Sequence, residues 1–313
     1  MNTASDVRQV PSEVCEDQQR LSAGAKAWLY LMLVAMLMIW SFNYIFAKVA
    51  IREFPILALS GIRIQAAALM LLAIFLVRRG RAGFALFPPH WKLFSVFGLF
   101  GVALNQGLFV VGLKYTSVAH TSLIVAAGPV FVLILARLLG LEELTWLKLT
   151  GLALSLAGLG ILVSERHAGQ QSGLLGDLLN TCGVLAFAYY VILGKQTALR
   201  FDSLSQNTFM FLTGGAMMLP LTASAFFTHG LAQVTWRGWL SMLYMAAFSS
   251  VAAYLIFYYA LKHVSATRMS ALSYLQPPCA TFLSWMLLKE PVTAAVISGA
   301  IVIFVGVFMT EKG

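Results

Sequence analysis

Ten mainly apolar runs, each long enough to cross a membrane, recur along this chain; LMLVAMLMIWSFNYIFA, 31–47, is the heart of the first. They lie near 27–49, 55–77, 92–113, 118–140, 146–164, 174–195, 205–227, 237–261, 266–288 and 292–310. A helix needs about 20 apolar residues to cross roughly 30 Å of hydrocarbon. At that depth every backbone N–H and C=O must bond within the protein, so uninterrupted runs of this length point to helices. With 60% hydrophobic against 11% charged residues and a mean hydropathy of +0.83, the chain is too apolar for a soluble core under a polar surface. The expected fold is therefore an all-α integral membrane protein of ten transmembrane helices.

The polar remainder narrows the class. Residues 1–26 carry Asp6, Arg8, Glu13, Glu16, Asp17 and Arg20 without an apolar core, which predicts a disordered tail rather than a cleaved signal. Cys15, Cys182 and Cys279 are too far apart for ligand spacing, and the five histidines (His90, His120, His167, His229, His263) do not group, so neither metal nor cofactor is expected. The net charge of +9 shows no basic stripe interleaved with aromatics, which argues against nucleic acid. Orientation accounts for the charge better. With the N-terminus inside, fourteen Lys and Arg fall on cytoplasmic segments, among them Arg78, Arg79, Arg81 and Arg200, against six outside: Lys48, Arg52, Lys114, Arg166, Arg237 and Lys289. The positive-inside rule then predicts both termini in the cytoplasm.

The stretch LKYTSVAHTSLIVAAGPVFVLILARLLGLEELT, starting at Leu113, returns as LKHVSATRMSALSYLQPPCATFLSWMLLKEPVT at a constant offset of 148. Lys114, Ser117, Ser122, Pro129, Glu142, Thr145, Gly151 and Gly158 meet Lys262, Ser265, Ser270, Pro277, Glu290, Thr293, Gly299 and Gly306. Five spans per half put the second half upside down, giving a first repeat over 27–164, an external linker over 165–173, a second, inverted repeat over 174–310 and a short cytoplasmic tail over 311–313. Proline-interrupted helices at matching positions of such halves point to a solute site near the midplane. Pro129, and Pro277 with Pro278, are accordingly the predicted hinges. Their missing hydrogen bonds free the carbonyls of Val125, Ser273 and Tyr274.

The paired GP and QPP, the LGLEELT and LLKEPVT elements after them, WSFNYIFAK in the first run and Arg63 in ALSGIRIQAAAL resemble the drug/metabolite transporter superfamily in its ten-helix EamA branch. The likeness covers about residues 30 to 310. It implies an inverted-repeat secondary transporter of small organic solutes, often an exporter, in a bacterial inner membrane. A central cavity would be walled by spans one to four and six to nine.

Helical spacing nominates residues for that cavity. Span nine aligns Ser270, Ser273, Tyr274 and Pro277, with Gln276 beside them; span four aligns Ser122, Val125, Ala126 and Pro129. Span one offers Trp40 and Asn43, span three Asn105 and Gln106, span six Phe187 and Tyr190, and span eight Ser250, Tyr254 and Tyr258 at i, i+4, i+8. Each has a packing alternative: serine can bond back to its own helix and tyrosine can sit at a helix interface. Arg63 is the one charge near the middle of a span, without an acid at matching depth, so it either binds a carboxylate or other electronegative group of the solute or ties helices together. Glu142 and Glu290 read as caps of the helices that follow, and the glycines of spans five and ten as close-packing scaffold. A membrane scaffold or receptor-like protein, and an intramembrane enzyme, are the rival classes. No HExxH, Walker loop or cysteine cluster supports an enzyme. The expected partners are a small organic solute and the lipid bilayer, with a homodimer left open.

Overall fold

The computed structural model describes residues 23–139, 145–164, 173–198, 200–229, 231–263 and 276–312, and these are helical with no strand among them. Eleven helices are used below: α1 (Ala23–Glu53), α2 (Ile56–Arg79), α3 (Arg81–Tyr115), α4 (Val118–Ala126), α5 (Gly128–Leu138), α6 (Trp146–Ser164), α7 (Leu174–Thr197), α8 (Ser203–His229), α9 (Trp236–His263), α10 (Gln276–Leu283) and α11 (Ala294–Lys312). Six stretches, Gly24–Glu53, Ile56–Arg79, Arg81–Tyr115, Val118–Leu135, Leu174–Thr197 and Trp236–His263, are long and apolar enough to cross a membrane. Trp146–Ile161 and Ala294–Thr310 are apolar but shorter. The chain is thus an integral membrane protein by length and hydropathy. The greater part of the expected tail and the 165–173 linker, with Glu142, Ser270, Ser273 and Tyr274, lie outside the described residues.

Local chemistry sets the helix ends. Gly80 stops α2 at φ +65°, a conformation that costs glycine nothing, and returns its N–H to the Leu76 carbonyl. Ser117 caps α4 through the His120 N–H, and Asp202 caps α8 through the Ser205 N–H at 3.1 Å. Half-burial raises the pKa of Asp202, but the Ser205 hydroxyl and N–H, with Arg79 at 3.2 Å, hold it below the ordinary carboxylate value. A lowered folded pKa adds stability that is complete above the unfolded value and is lost as pH falls through the folded one. Asp202→Ala should therefore cost about 1 kcal/mol at neutral pH, the usual worth of an N-cap. That deficit should shrink as pH falls below the ordinary carboxylate value; a deficit undiminished in acid melts would exclude the cap as its source.

Thr145 and Thr293 cap α6 and α11 through the N–H groups of Lys148 and Val296. This corrects the expectation for Glu290, which caps a different helix: its Oε2 accepts from the Val118 N–H that opens α4, at 3.0 Å. A carboxylate side chain reaches farther than its own turn, and the three residues between Glu290 and α11 leave the nearer cap to threonine. Pro291 correspondingly precedes α11 rather than opening it.

The two halves share further devices. α5 starts at Gly128 with Pro129 as its second residue, and Pro277 follows Gln276, the first described residue of α10. α3 and α9 each contain a π-helical stretch, Gly98–Leu104 and Met245–Ala252. Lys48 donates to the Thr116 carbonyl just past α3, and Lys195 donates to the Leu261 carbonyl near the end of α9. α2 packs along α8, α3 along α7, and α6 along α11 away from the centre.

Candidate functional site: a central polar and aromatic cavity

The helices enclose a cavity of about 160 Å³, room for on the order of ten waters. Its wall takes Trp40, Asn43 and Tyr44 from α1, Arg63 from α2, and Asn105, Gln106 and Phe109 from α3. Val125 comes from α4, Pro129 and Val132 from α5, Phe187 and Val191 from α7, Ser249, Tyr254 and Phe257 from α9, and Gln276 from α10. The break in the fourth run opens onto it, and Gln276 of the ninth run is in its wall. Pro129 has no N–H for the carbonyl of Val125 four residues back, and Val125 is in the wall.

Arg63 is 3% exposed. Its Nε donates to Ser250 Oγ at 3.2 Å and its Nη2 to Gln106 Oε1 at 2.7 Å, while Ser250 Oγ donates to the same Gln106 oxygen at 2.8 Å. This triangle holds the guanidinium and turns the Gln106 amide so that its oxygen faces the charge. All its acceptors are neutral. Arg63 Nη1, Gln106 Nε2, Ser249 Oγ and Asn43 Oδ1 are buried without a partner among the described residues.

Aromatic rings form the rest of the wall. Trp40 meets Phe187, Tyr254 and Phe257 with centroids 5.7–6.3 Å apart, and its Nε1 donates to the Ser249 carbonyl. Tyr44 packs edge-on to Phe109 at 5.3 Å and accepts from Gln276 Nε2. Tyr254 Oη lies 3.0 Å from both the Gly101 carbonyl and Asn105 Oδ1, and Asn105 Nδ2 donates to the Gly183 carbonyl. Such rings combine a large apolar face with a few polar tips.

Of the residues nominated from the sequence, Trp40, Asn43, Arg63, Asn105, Gln106, Tyr254, Gln276 and Pro129 come together in this wall. Ser122 stands elsewhere: fully buried, it donates to the Ala119 carbonyl of its own helix. Tyr190 is also fully buried, packed against Phe97, Phe187 and Phe257 behind the wall. Pro277 is buried at the start of α10 without reaching the cavity, and Pro278 is exposed. Ser273 and Tyr274 lie outside the described residues.

Reading α9 as a uniform α-helix aligned Ser250, Tyr254 and Tyr258. The π-helical stretch breaks that register, because its turns take more residues. Ser249, five before Tyr254, is in the wall with Phe257, while Tyr258 is fully buried elsewhere. Phe109 could have been found, since it sits four residues past Asn105 on the same helical face. Tyr44 could not be separated from its neighbour Asn43 by spacing alone.

A second polar cluster occupies the Lys48 end of the bundle. Lys48 is 3.6 Å from Glu290, which also accepts from Ser284 Oγ at 2.6 Å. Thr116 Oγ1 donates to Asp177, and His120 Nδ1 lies 3.2 Å from the same carboxylate. This histidine meets an acid 57 residues away in sequence. The cluster ties α1, α4, α7 and the segment after α10 together outside the cavity wall.

The profile of the EamA-like transporter family matches residues 27–164 and 174–311. An "Uncharacterized transporter" of Archaeoglobus fulgidus is 28% identical over 285 residues, covering 90% of this chain and 96% of its own. The "Uncharacterized transporter YoaV" of Bacillus subtilis is 24% identical, covering 88% and 94%, and the "Uncharacterized inner membrane transporter YedA" of Escherichia coli is 27% identical, covering 80% of each. A solved crystal structure superposes with a TM-score of 0.62 over 90% of this chain and 96% of that one, at 17% identity, which supports the fold. With both stretches of the chain matched and transporters among its relatives, the protein belongs to the EamA-like transporter family.

Proposed function

We propose that this protein is a secondary transporter that carries small organic solutes, such as amino acids, metabolites or drugs, outward across a bacterial inner membrane by alternating access. Ten transmembrane helices would form two inverted five-helix repeats, 27–164 and 174–310, joined by an external linker, with both termini cytoplasmic. The observation that carries this reading is the position of the cavity: both halves wall it, with Pro129 of α5 from the first and Gln276 of α10 from the second. The paired π-helical stretches of α3 and α9 and the paired lysine contacts of α1 and α7 support the repeat. Inverted halves around such a site can exchange conformations while the site stays in place. The outward direction rests on the family likeness alone.

Sidedness of access tests this without knowledge of the solute. In a variant without Cys15, Cys182 and Cys279, Val132→Cys should react with a membrane-impermeant maleimide from either face of sealed vesicles. A scaffold with a closed interior would react from neither, and that result ends the transport reading. Pro129→Ala offers the Val125 carbonyl its N–H and should bias labelling toward one face at near-normal yield. Unchanged labelling would show that the break is tolerated rather than used.

A further inference from the structure

The chemistry of the cavity wall narrows the solute class. Arg63 is the one charged side chain among the described lining residues. A guanidinium stays protonated in proteins, and at eight residues past Pro55 it lies about 12 Å along its helix, deep in the bilayer. The acids whose side chains are described are engaged elsewhere: Glu53 with Thr235, Asp177 with Thr116 and His120, Asp202 with Ser205 and Arg79, and Glu290 with Lys48 and α4. Among the described residues the cavity wall therefore carries one positive charge, met only by neutral acceptors.

The unpartnered atoms have the same sense. Arg63 Nη1 and Gln106 Nε2 are donors, and Ser249 Oγ can donate, against one acceptor, Asn43 Oδ1. Resting on the transport reading above, we infer that the cavity takes a small organic monoanion. A carboxylate-type group engages Arg63 Nη1 and Gln106 Nε2, and an aromatic or branched apolar body lies against Trp40, Phe109 and Phe257. Charge arithmetic selects this class. A monoanion leaves the described wall neutral, a zwitterion or an uncharged solute leaves the charge of Arg63 uncompensated, a cation doubles it and a dianion overshoots. In a low-dielectric interior these differences outweigh those of apolar contact.

The test keeps the body constant and changes the charge. Phenylacetate and 3-methylbutanoate would be compared with phenylacetamide, phenylalanine and phenethylamine by thermal stabilisation and titration calorimetry of the detergent-purified protein. At least one of the two carboxylates should bind tenfold or more tighter than phenylacetamide, with phenylalanine weaker and phenethylamine without effect. Gln106→Glu, nearly isosteric, places a carboxylate beside Arg63 and neutralises the cavity from within. It should fold normally and lose at least tenfold in carboxylate affinity, as should Arg63→Gln. Stabilisation by neither carboxylate, equal binding of phenylacetamide, or unchanged carboxylate binding by Gln106→Glu overturns the inference. The wild-type series decides even where Arg63→Gln does not fold. Carboxylate binding without maleimide access from either face would overturn the transport reading and leave the anion site standing. Two-sided access with no carboxylate preference would do the reverse.

Discussion

Gly151→Leu should lower the thermal stability of the purified protein at the upper end of the roughly 1–3 kcal/mol typical of overpacking. α6 and α11 touch backbone to backbone. A Cβ on Gly151 would lie 2.5 Å from the Gly306 carbonyl oxygen and 2.6 Å from the Thr310 nitrogen, and one on Gly306 would lie 2.5 Å from the Ser155 nitrogen. Real Cβ atoms do not come that close, and backbone cannot swing aside as a long side chain does, so the helices must part. In lipid their association depends on this close packing, because water contributes no hydrophobic drive between them. Gly160 provides the control on the same helix: nothing lies within 4 Å of its added Cβ, and Gly160→Leu should stay within about 0.5 kcal/mol of the parent. Equal melting of the two variants would show that the contact does not hold the helices.

Glu290→Ala should cost about 3 kcal/mol, the lower end for removing one partner of a buried charge pair. Its carboxylate accepts from the Val118 N–H at 3.0 Å and from Ser284 Oγ at 2.6 Å, and lies 3.6 Å from Lys48 Nζ. Truncation leaves all three without it; the Lys48 and Glu290 side chains are 17% and 15% exposed. It also removes a negative charge from the positive end of the α4 dipole. Glu290→Gln keeps an acceptor for the Val118 N–H and should recover more than half of the loss, the remainder being the ion pair. Chemical-denaturation or thermal melts of the two variants check the ordering. A glutamine variant as unstable as the alanine would put the whole effect in the Lys48 pair and contradict the cap. Because Glu290 joins the segment after α10 to α4 and α1, Glu290→Ala should also raise the reactivity of Val132→Cys from the Lys48 side.

How far the cavity could be foreseen differs residue by residue. Trp40, Asn43, Asn105, Gln106, Tyr254 and Gln276 are polar or amphipathic groups in apolar runs, and such groups must find partners away from lipid, so composition alone marked them. Ser122 bore the same mark and met its need within its own helix, bonding the Ala119 carbonyl. Sequence cannot rank these two solutions, because a serine hydroxyl bonding a carbonyl one turn back needs no neighbour. Ser249 and Phe257 escaped notice because uniform α spacing was carried through a π-helical stretch. That stretch has no local signature in MAAFSSVA and depends on what the helix packs against.

By itself the sequence determined the membrane setting, the helical class and the order of the landmarks. Each of these follows from local hydropathy, from proline chemistry, or from a repeat that can be read without folding the chain. Tertiary structure decided which donors share an acceptor. Arg63, Gln106 and Ser250 are joined across 43, 187 and 144 residues of separation, and Glu290 caps a helix that begins 172 residues earlier. A side chain's need for a partner is written in its chemistry, but the choice of partner depends on which helices lie side by side. In a bundle held by close backbone approach, that is a property of the packed whole.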